Sequence, residues 1–154
     1  MKVTRVTGRI AVLAGVGALA LAAPPIASAS GPEPVRIETR GIFTGPGSTA
    51  GTFTISGAVS DSGTYVDTSR LAGKTLHVVK TLSGSGGTIT LVAQAVVRWT
   101  SPTTATFFAG HWRFALGTGA YGDLMGGGHP GASGSANFAT GTVSVVHEGQ
   151  ARAD

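Results

Sequence analysis

Beyond about residue 50 the chain alternates apolar and polar side chains. In residues 52–59, Phe53, Ile55 and Val59 share one face and Thr and Ser the other. Leu76, Val78 and Lys80 alternate with Thr75, His77 and Val79. Ile89, Leu91, Ala93, Ala95, Val97 and Trp99 alternate with Thr90, Val92, Gln94, Val96 and Arg98. Phe108, Gly110, Trp112 and Phe114 alternate with Phe107, Ala109, His111, Arg113 and Ala115, and Val143, Val145 and His147 with Thr142, Ser144, Val146 and Glu148. A period of two predicts strands, and no segment after residue 30 holds a 3.6-residue apolar period for three turns. Gly45-Pro46-Gly47, Asp61-Ser62-Gly63, residues 83–87, Ser101-Pro102 and Ala139-Thr140-Gly141 punctuate the runs as turns.

Several strands separated by Gly-rich turns predict an all-β sandwich or barrel. The run at residues 88–99 is twelve residues long, twice the usual strand length. An open edge of that length invites pairing with other chains, and closing the sheet removes it. The expected fold class is therefore all-β, a small closed antiparallel β-barrel of about eight strands. No repeat of 20–50 residues is present, which argues against a propeller or solenoid.

The first residues follow a different rule. Lys2, Arg5 and Arg9 precede an uncharged apolar run at residues 10–23; Pro24-Pro25 breaks it, and Ala27-Ser28-Ala29 supplies small residues at a cleavage position. That order is a secretory signal peptide, and a 14-residue run is shorter than the roughly 20 a membrane span needs. The organisation read from the sequence is a signal peptide at 1–29, a mobile polar leader at 30–34 and a β-barrel domain at 35–154, in a protein secreted to the bacterial exterior with no membrane attachment after cleavage.

Cleavage changes the charge. The 154-residue chain carries +4, but three of its 11 Lys and Arg and none of its 7 acids lie in the signal, leaving +1. No Lys/Arg cluster is left to suggest nucleic acid as a partner. The chain has no Cys, which excludes disulfides, thiol catalysis and Cys-ligated metals.

One segment is distinctive: Gly110-His111-Trp112-Arg113-Phe114-Ala115-Leu116-Gly117-Thr118-Gly119-Ala120-Tyr121-Gly122-Asp123-Leu124-Met125-Gly126-Gly127-Gly128. A strand ends in Gly-Thr-Gly-x-Tyr, followed by a short apolar stretch and a glycine cluster. This resembles the corresponding segment of dirigent-like and allene oxide cyclase-like β-barrels. The resemblance covers about 20 residues and implies a small closed barrel in which the motif shapes a turn. Gly117 and Gly119 can take positive φ, Thr118 can bond local backbone, and Tyr121, Leu124 and Met125 are expected to plug one barrel end. No Lys-Ser/Thr and no helix follow the glycines, so a phosphate loop is not expected.

Candidate chemistry is sparse. His77, His111, His129 and His147 lack metal-ligand spacing and read as rim or strand-surface residues, so no metal and no cofactor is expected. Arg98, His111 and Arg113 are the candidate catalytic groups. If the polar strand face lined the barrel, they would point inward, where a cation could stabilise an enolate or carboxylate and Glu38 or Glu148 act as base. If the aromatic face is the core, they are solvated, the arrangement expected of unpaired charges. Ser133 and Ser85 lack the strand-to-helix setting of a nucleophile elbow.

Three functions fit these readings. One is non-catalytic binding of a small, largely apolar ligand. The second, implied by the resemblance, is a cyclase, isomerase or dirigent-type stereocontrol protein acting on a small organic substrate. The third is an extracellular structural or self-assembling protein, for which a homo-oligomer is a natural form. An apolar cavity favours the first two over the third, and a convergent polar set within it bears on the choice between them. Mass spectrometry of the exported protein is expected to find Ser30 as its first residue; a secreted form retaining residues 1–29 would overturn the cleavage.

Overall fold

The computed structural model describes residues 31–153; the expected signal segment and cleavage site lie outside the described residues. Eight strands follow in order: β1 (Glu33–Gly45), β2 (Ser48–Gly57), β3 (Asp61–Ala72), β4 (Thr75–Gly84), β5 (Gly87–Ser101), β6 (Thr104–Gly117), β7 (Leu124–Asn137) and β8 (Thr142–Ala153). Each pairs antiparallel with the next and β8 closes onto β1, making the expected eight-stranded closed barrel. Glu33 and Pro34, placed by sequence in the leader, belong to β1 and face Ala151 and Gln150. Asp61-Ser62-Gly63, read as a turn, opens β3, and the bend lies just before it, taking in Val59.

Closure sends alternate side chains inward, and those are the apolar ones. Val35 and Ile37, Phe53 and Ile55, Tyr65, Leu82, Ile89 and Leu91, Trp112 and Phe114, Leu124 and Ala151 form one core. Outward positions carry mostly Thr, Ser, Arg and His. Apolar inside and polar outside is the reverse of a transmembrane barrel's pattern. Trp112 is 3% exposed, meets Phe114 edge to face at 5.0 Å, and donates its indole N–H to the Glu148 carbonyl oxygen at 3.0 Å.

The strand β6 does not alternate cleanly. Its pairing with β7 slips between Phe107 and Gly110, and Ala109 sits at φ 49°. This bulge inserts one residue and inverts the parity. Gly110, Trp112 and Phe114 point inward as their shared face predicts, but Phe108 does not join them. Phe107 turns toward the interior instead. The pairing with β5 registers the same insertion: Gln94 faces His111, and Val96, two residues on, faces Phe108.

The lower barrel end is closed by the Gly-Thr-Gly-x-Tyr segment. A single 3₁₀ turn at Gly119–Tyr121 follows β6 and returns Tyr121 under the core, 5% exposed. Gly119 is at φ +61° as expected, and a Cβ there would also overlap the Gly86 carbonyl oxygen. Gly117 is needed for a different reason than positive φ: a Cβ would overlap the Tyr121 carbonyl oxygen. Thr118 bonds the neighbouring strand, accepting the Thr88 backbone N–H at 3.0 Å. Leu124 completes the plug, whereas Met125 is 53% exposed and does not contribute.

Trp112→Ala is expected to cost on the order of 3–5 kcal/mol of stability, whereas Arg113→Ala on the exposed face should change it by less than about 0.5 kcal/mol. Urea denaturation of both variants checks this; the opposite ranking would mean that β6 is inside out.

Candidate functional site

The upper half of the barrel interior is polar at its centre. On β4, Lys80 follows Leu76 and Val78 on the inward face and is 2% exposed. Its ammonium lies 3.2 Å from a carboxylate oxygen of Asp67 on β3, donates to the Thr39 hydroxyl on β1 at 3.0 Å, and sits 4.3 Å from the centre of the Tyr65 ring. The other Asp67 oxygen accepts from the Thr49 hydroxyl at 2.6 Å and the Thr49 backbone N–H at 3.1 Å. The Thr39 hydroxyl in turn donates to the Val145 carbonyl oxygen at 3.3 Å. Four adjacent strands thus meet on one ion pair. Burial lowers the Lys80 pKa, and Asp67 opposes that shift. Burial also raises the Tyr65 pKa.

Across the interior on β8 lies His147, 2% exposed, its ring 5.8 Å from Trp112. Desolvation, with a smaller contribution from the Lys80 charge, lowers its pKa to about 3, so the imidazole is neutral. Its Nδ1 is buried and has no hydrogen-bond partner. A buried polar atom of this kind ordinarily finds one.

A cavity of about 60 Å³ lies above these groups. Lys80, Asp67, Thr49 and His147 line its floor, and Phe43, Leu76, Val78, Ala95, Phe107, Val143 and Val145 its walls. At the mouth, Phe138 stacks on Phe43 at 4.9 Å and on Trp99 at 5.2 Å. Trp99 and Phe138 are 55% and 48% exposed.

The candidate residues chosen by sequence are elsewhere. Arg98, His111 and Arg113 are all exposed on the outer wall. Arg98 lies over the Phe108 ring at 4.6 Å, and the His111 ring meets that of His129 at 5.7 Å. Glu38 and Glu148 are also outside, both paired with Arg36. The aromatic face is the core, so none of these groups reaches the interior. His147 departs from the surface reading given to all four histidines. Its place beside Val143 and Val145 on one strand face was the available signal, as was that of Lys80 beside Leu76 and Val78. Among the described residues no group of three His, Cys, Asp or Glu is placed to hold a metal ion. Comparison with protein-family models, curated proteins and solved structures gives no match.

The buried imidazole makes stability depend on pH. The unfolded chain protonates His147 near the ordinary 6.5, the folded chain only near 3. Between those values the unfolded state binds the extra proton, so acidification from pH 6.5 should destabilise the barrel by up to about 1.4 kcal/mol per pH unit. The Asp61 carboxylate, which accepts from Tyr121, Gly86 and Ser85, has a lowered pKa and adds its loss only below about pH 4. Urea melts at pH 7, 6 and 5 should show this slope, and His147→Phe should flatten it; an unchanged slope in the variant would assign the effect to other groups.

Proposed function

We propose that this protein is an exported ligand-binding barrel for a small, largely apolar molecule carrying one hydroxyl. The observation that carries the reading is the buried, unpartnered Nδ1 of His147 on the floor of an apolar-walled cavity. A neutral imidazole nitrogen either donates or accepts, and a hydroxyl can do both, so it satisfies either tautomer. The ion pair of Lys80 and Asp67 is internally balanced, which disfavours a ligand of net charge at that depth. Water occupies about 30 Å³ per molecule in the liquid, so a cavity of about 60 Å³ takes a head group of a few heavy atoms. The apolar remainder would leave the cavity past Phe43 and lie against the exposed stack of Trp99 and Phe138.

A second reading has its own observation. A histidine, a lysine and an aspartate converge on one cavity, an arrangement suited to proton transfer next to a ligand carbonyl, as the cyclase or isomerase alternative requires. Efficient general bases titrate near the working pH. Burial pushes the His147 imidazole well below its ordinary range, which weakens it as a base, and the Lys80 ammonium is engaged with Asp67 and Thr39. That engagement favours binding over catalysis.

Titration with 1-octanol, followed by tryptophan emission, is expected to show saturable binding. His147→Phe should weaken it by up to about tenfold, the worth of one hydrogen bond, and Val143→Trp should block the mouth. Binding that ignores both variants, or none at all, would overturn the reading. Protein-dependent deuterium uptake at the α-carbons of 2-octanone in D₂O would replace it with the catalytic one.

A further inference from the structure

A second concave surface lies on the outer wall, on the other side of the strands that line the cavity, with Ser69, Val78, Ala93 and Gln94 bordering both: a groove of about 630 Å³ crossing β3 to β6. Strand register builds it from two neighbouring rows. In one, Arg70 faces His77, His77 faces Gln94, and Gln94 faces His111. In the other, Thr68, Val79, Val92 and Arg113 follow in the same way. Adjacent strands are about 4.8 Å apart, so Arg70 and Arg113 are separated by three spacings, about 14 Å across the strands, and by one row along them, at opposite ends of the groove.

The charge here is one-sided. Outward positions of β3 to β6 hold no acid, because Asp61 and Asp67 on β3 both turn inward. Glu38 and Glu148 lie on β1 and β8 and are engaged with Arg36. Neither Arg70 nor Arg113 belongs to any ion pair among the described residues. Between the two guanidinium groups stand side chains that bond hydroxyls, those of His77, Gln94 and His111. None of the groove's outward side chains is a Phe, Tyr or Trp on which a base could stack, as single-stranded nucleic-acid grooves require.

We infer that the groove binds an acidic polysaccharide. Two separated arginines fit a chain whose carboxylates or sulfates recur at intervals, since a guanidinium takes either group in a forked pair of hydrogen bonds. The amide and imidazoles between them fit the sugar hydroxyls that lie between the acid groups. The groove is open, so an extended chain can cross it without an end being threaded.

Isothermal titration with alginate and heparin oligosaccharides tests this on the purified protein. Saturable binding of at least one is expected, weakening as salt rises. The double variant Arg70→Gln with Arg113→Gln should lose at least tenfold in affinity with an unchanged thermal melt, while Arg36→Gln on the opposite wall should bind as the parent does. No saturable binding of either probe would overturn the inference. So would an equal loss in Arg36→Gln, which would mean diffuse attraction, or equally tight binding of single-stranded DNA of matched charge, which would mean a general polyanion surface.

Discussion

The pairing of Lys80 with Asp67 is the contact on which the interior depends. An eight-stranded barrel has an interior just wide enough for side chains to fill, so any charge placed there loses nearly all its water. Removing each ion from water costs several kcal/mol. At 3.2 Å and an effective dielectric near 20, their attraction returns only about 5 kcal/mol. The pair alone is close to break-even. What tips it is the set of neighbours: Thr49 gives two hydrogen bonds to Asp67, Thr39 accepts from Lys80, and the Tyr65 ring offers its electron-rich face to the ammonium. These come from β1, β2, β3 and β4, so the pair is satisfied only when four strands hold one register. Apolar side chains of similar size could pack that space more simply; the polar set keeps a defined geometry under the cavity instead.

This divides the barrel into two halves with different physics. The lower half is filled. Trp112, Phe114, Phe53 and Ile55 pack above the plug, where the Tyr121 hydroxyl donates to Asp61 at 2.5 Å. Burial and that hydrogen bond raise the Tyr121 pKa to about 12. The distinctive glycine segment belongs wholly to this half. Gly117 and Gly119 let the chain fold back under the core, and neither approaches the cavity. It forms the closing turn of that end and lies away from the cavity. The upper half carries the hydrogen-bonding capacity and the opening, and its residues come from segments with no recognisable motif.

That split explains what could be read in advance. Period-two alternation identifies β2, β4, β5, β6 and β8 because their inward faces are apolar enough to stand out. The same alternation puts Trp112 inside and Arg113 and His111 outside. The first part of β3 escapes the pattern because its inward positions are Gly63, Tyr65, Asp67 and Ser69, so the strand looks polar on both faces. Asp67 was hidden with it, and Lys80 without Asp67 is an anomaly on an apolar face rather than half of a pair. The bulge at Ala109 was not legible either: a non-Gly residue at φ 49° leaves no composition signal, and only the pairing with β7 shows that Phe107 and Phe108 exchange faces.

The bulge matters beyond topology, because it decides what stands at the mouth. Without the inserted residue, Phe108 would point inward and Phe107 outward. The Arg98 guanidinium would then lose the Phe108 ring it covers, and the cavity would lose its Phe107 wall. With it, the upper wall of β6 is aromatic on the inside and holds a shielded cation on the outside. β5 keeps its alternation past this point, so Trp99 stays on the inward side opposite Ala105, next to Phe138. The stack of Phe43, Phe138 and Trp99 is therefore assembled from β1, β5 and the connection between β7 and β8, three segments far apart in the chain. Stacked rings on separate segments can part by side-chain rotation, which takes picoseconds to nanoseconds for exposed residues. The strands beneath them need not move. A ligand can thus reach the polar floor while the ion pair that holds β1 to β4 in register stays intact.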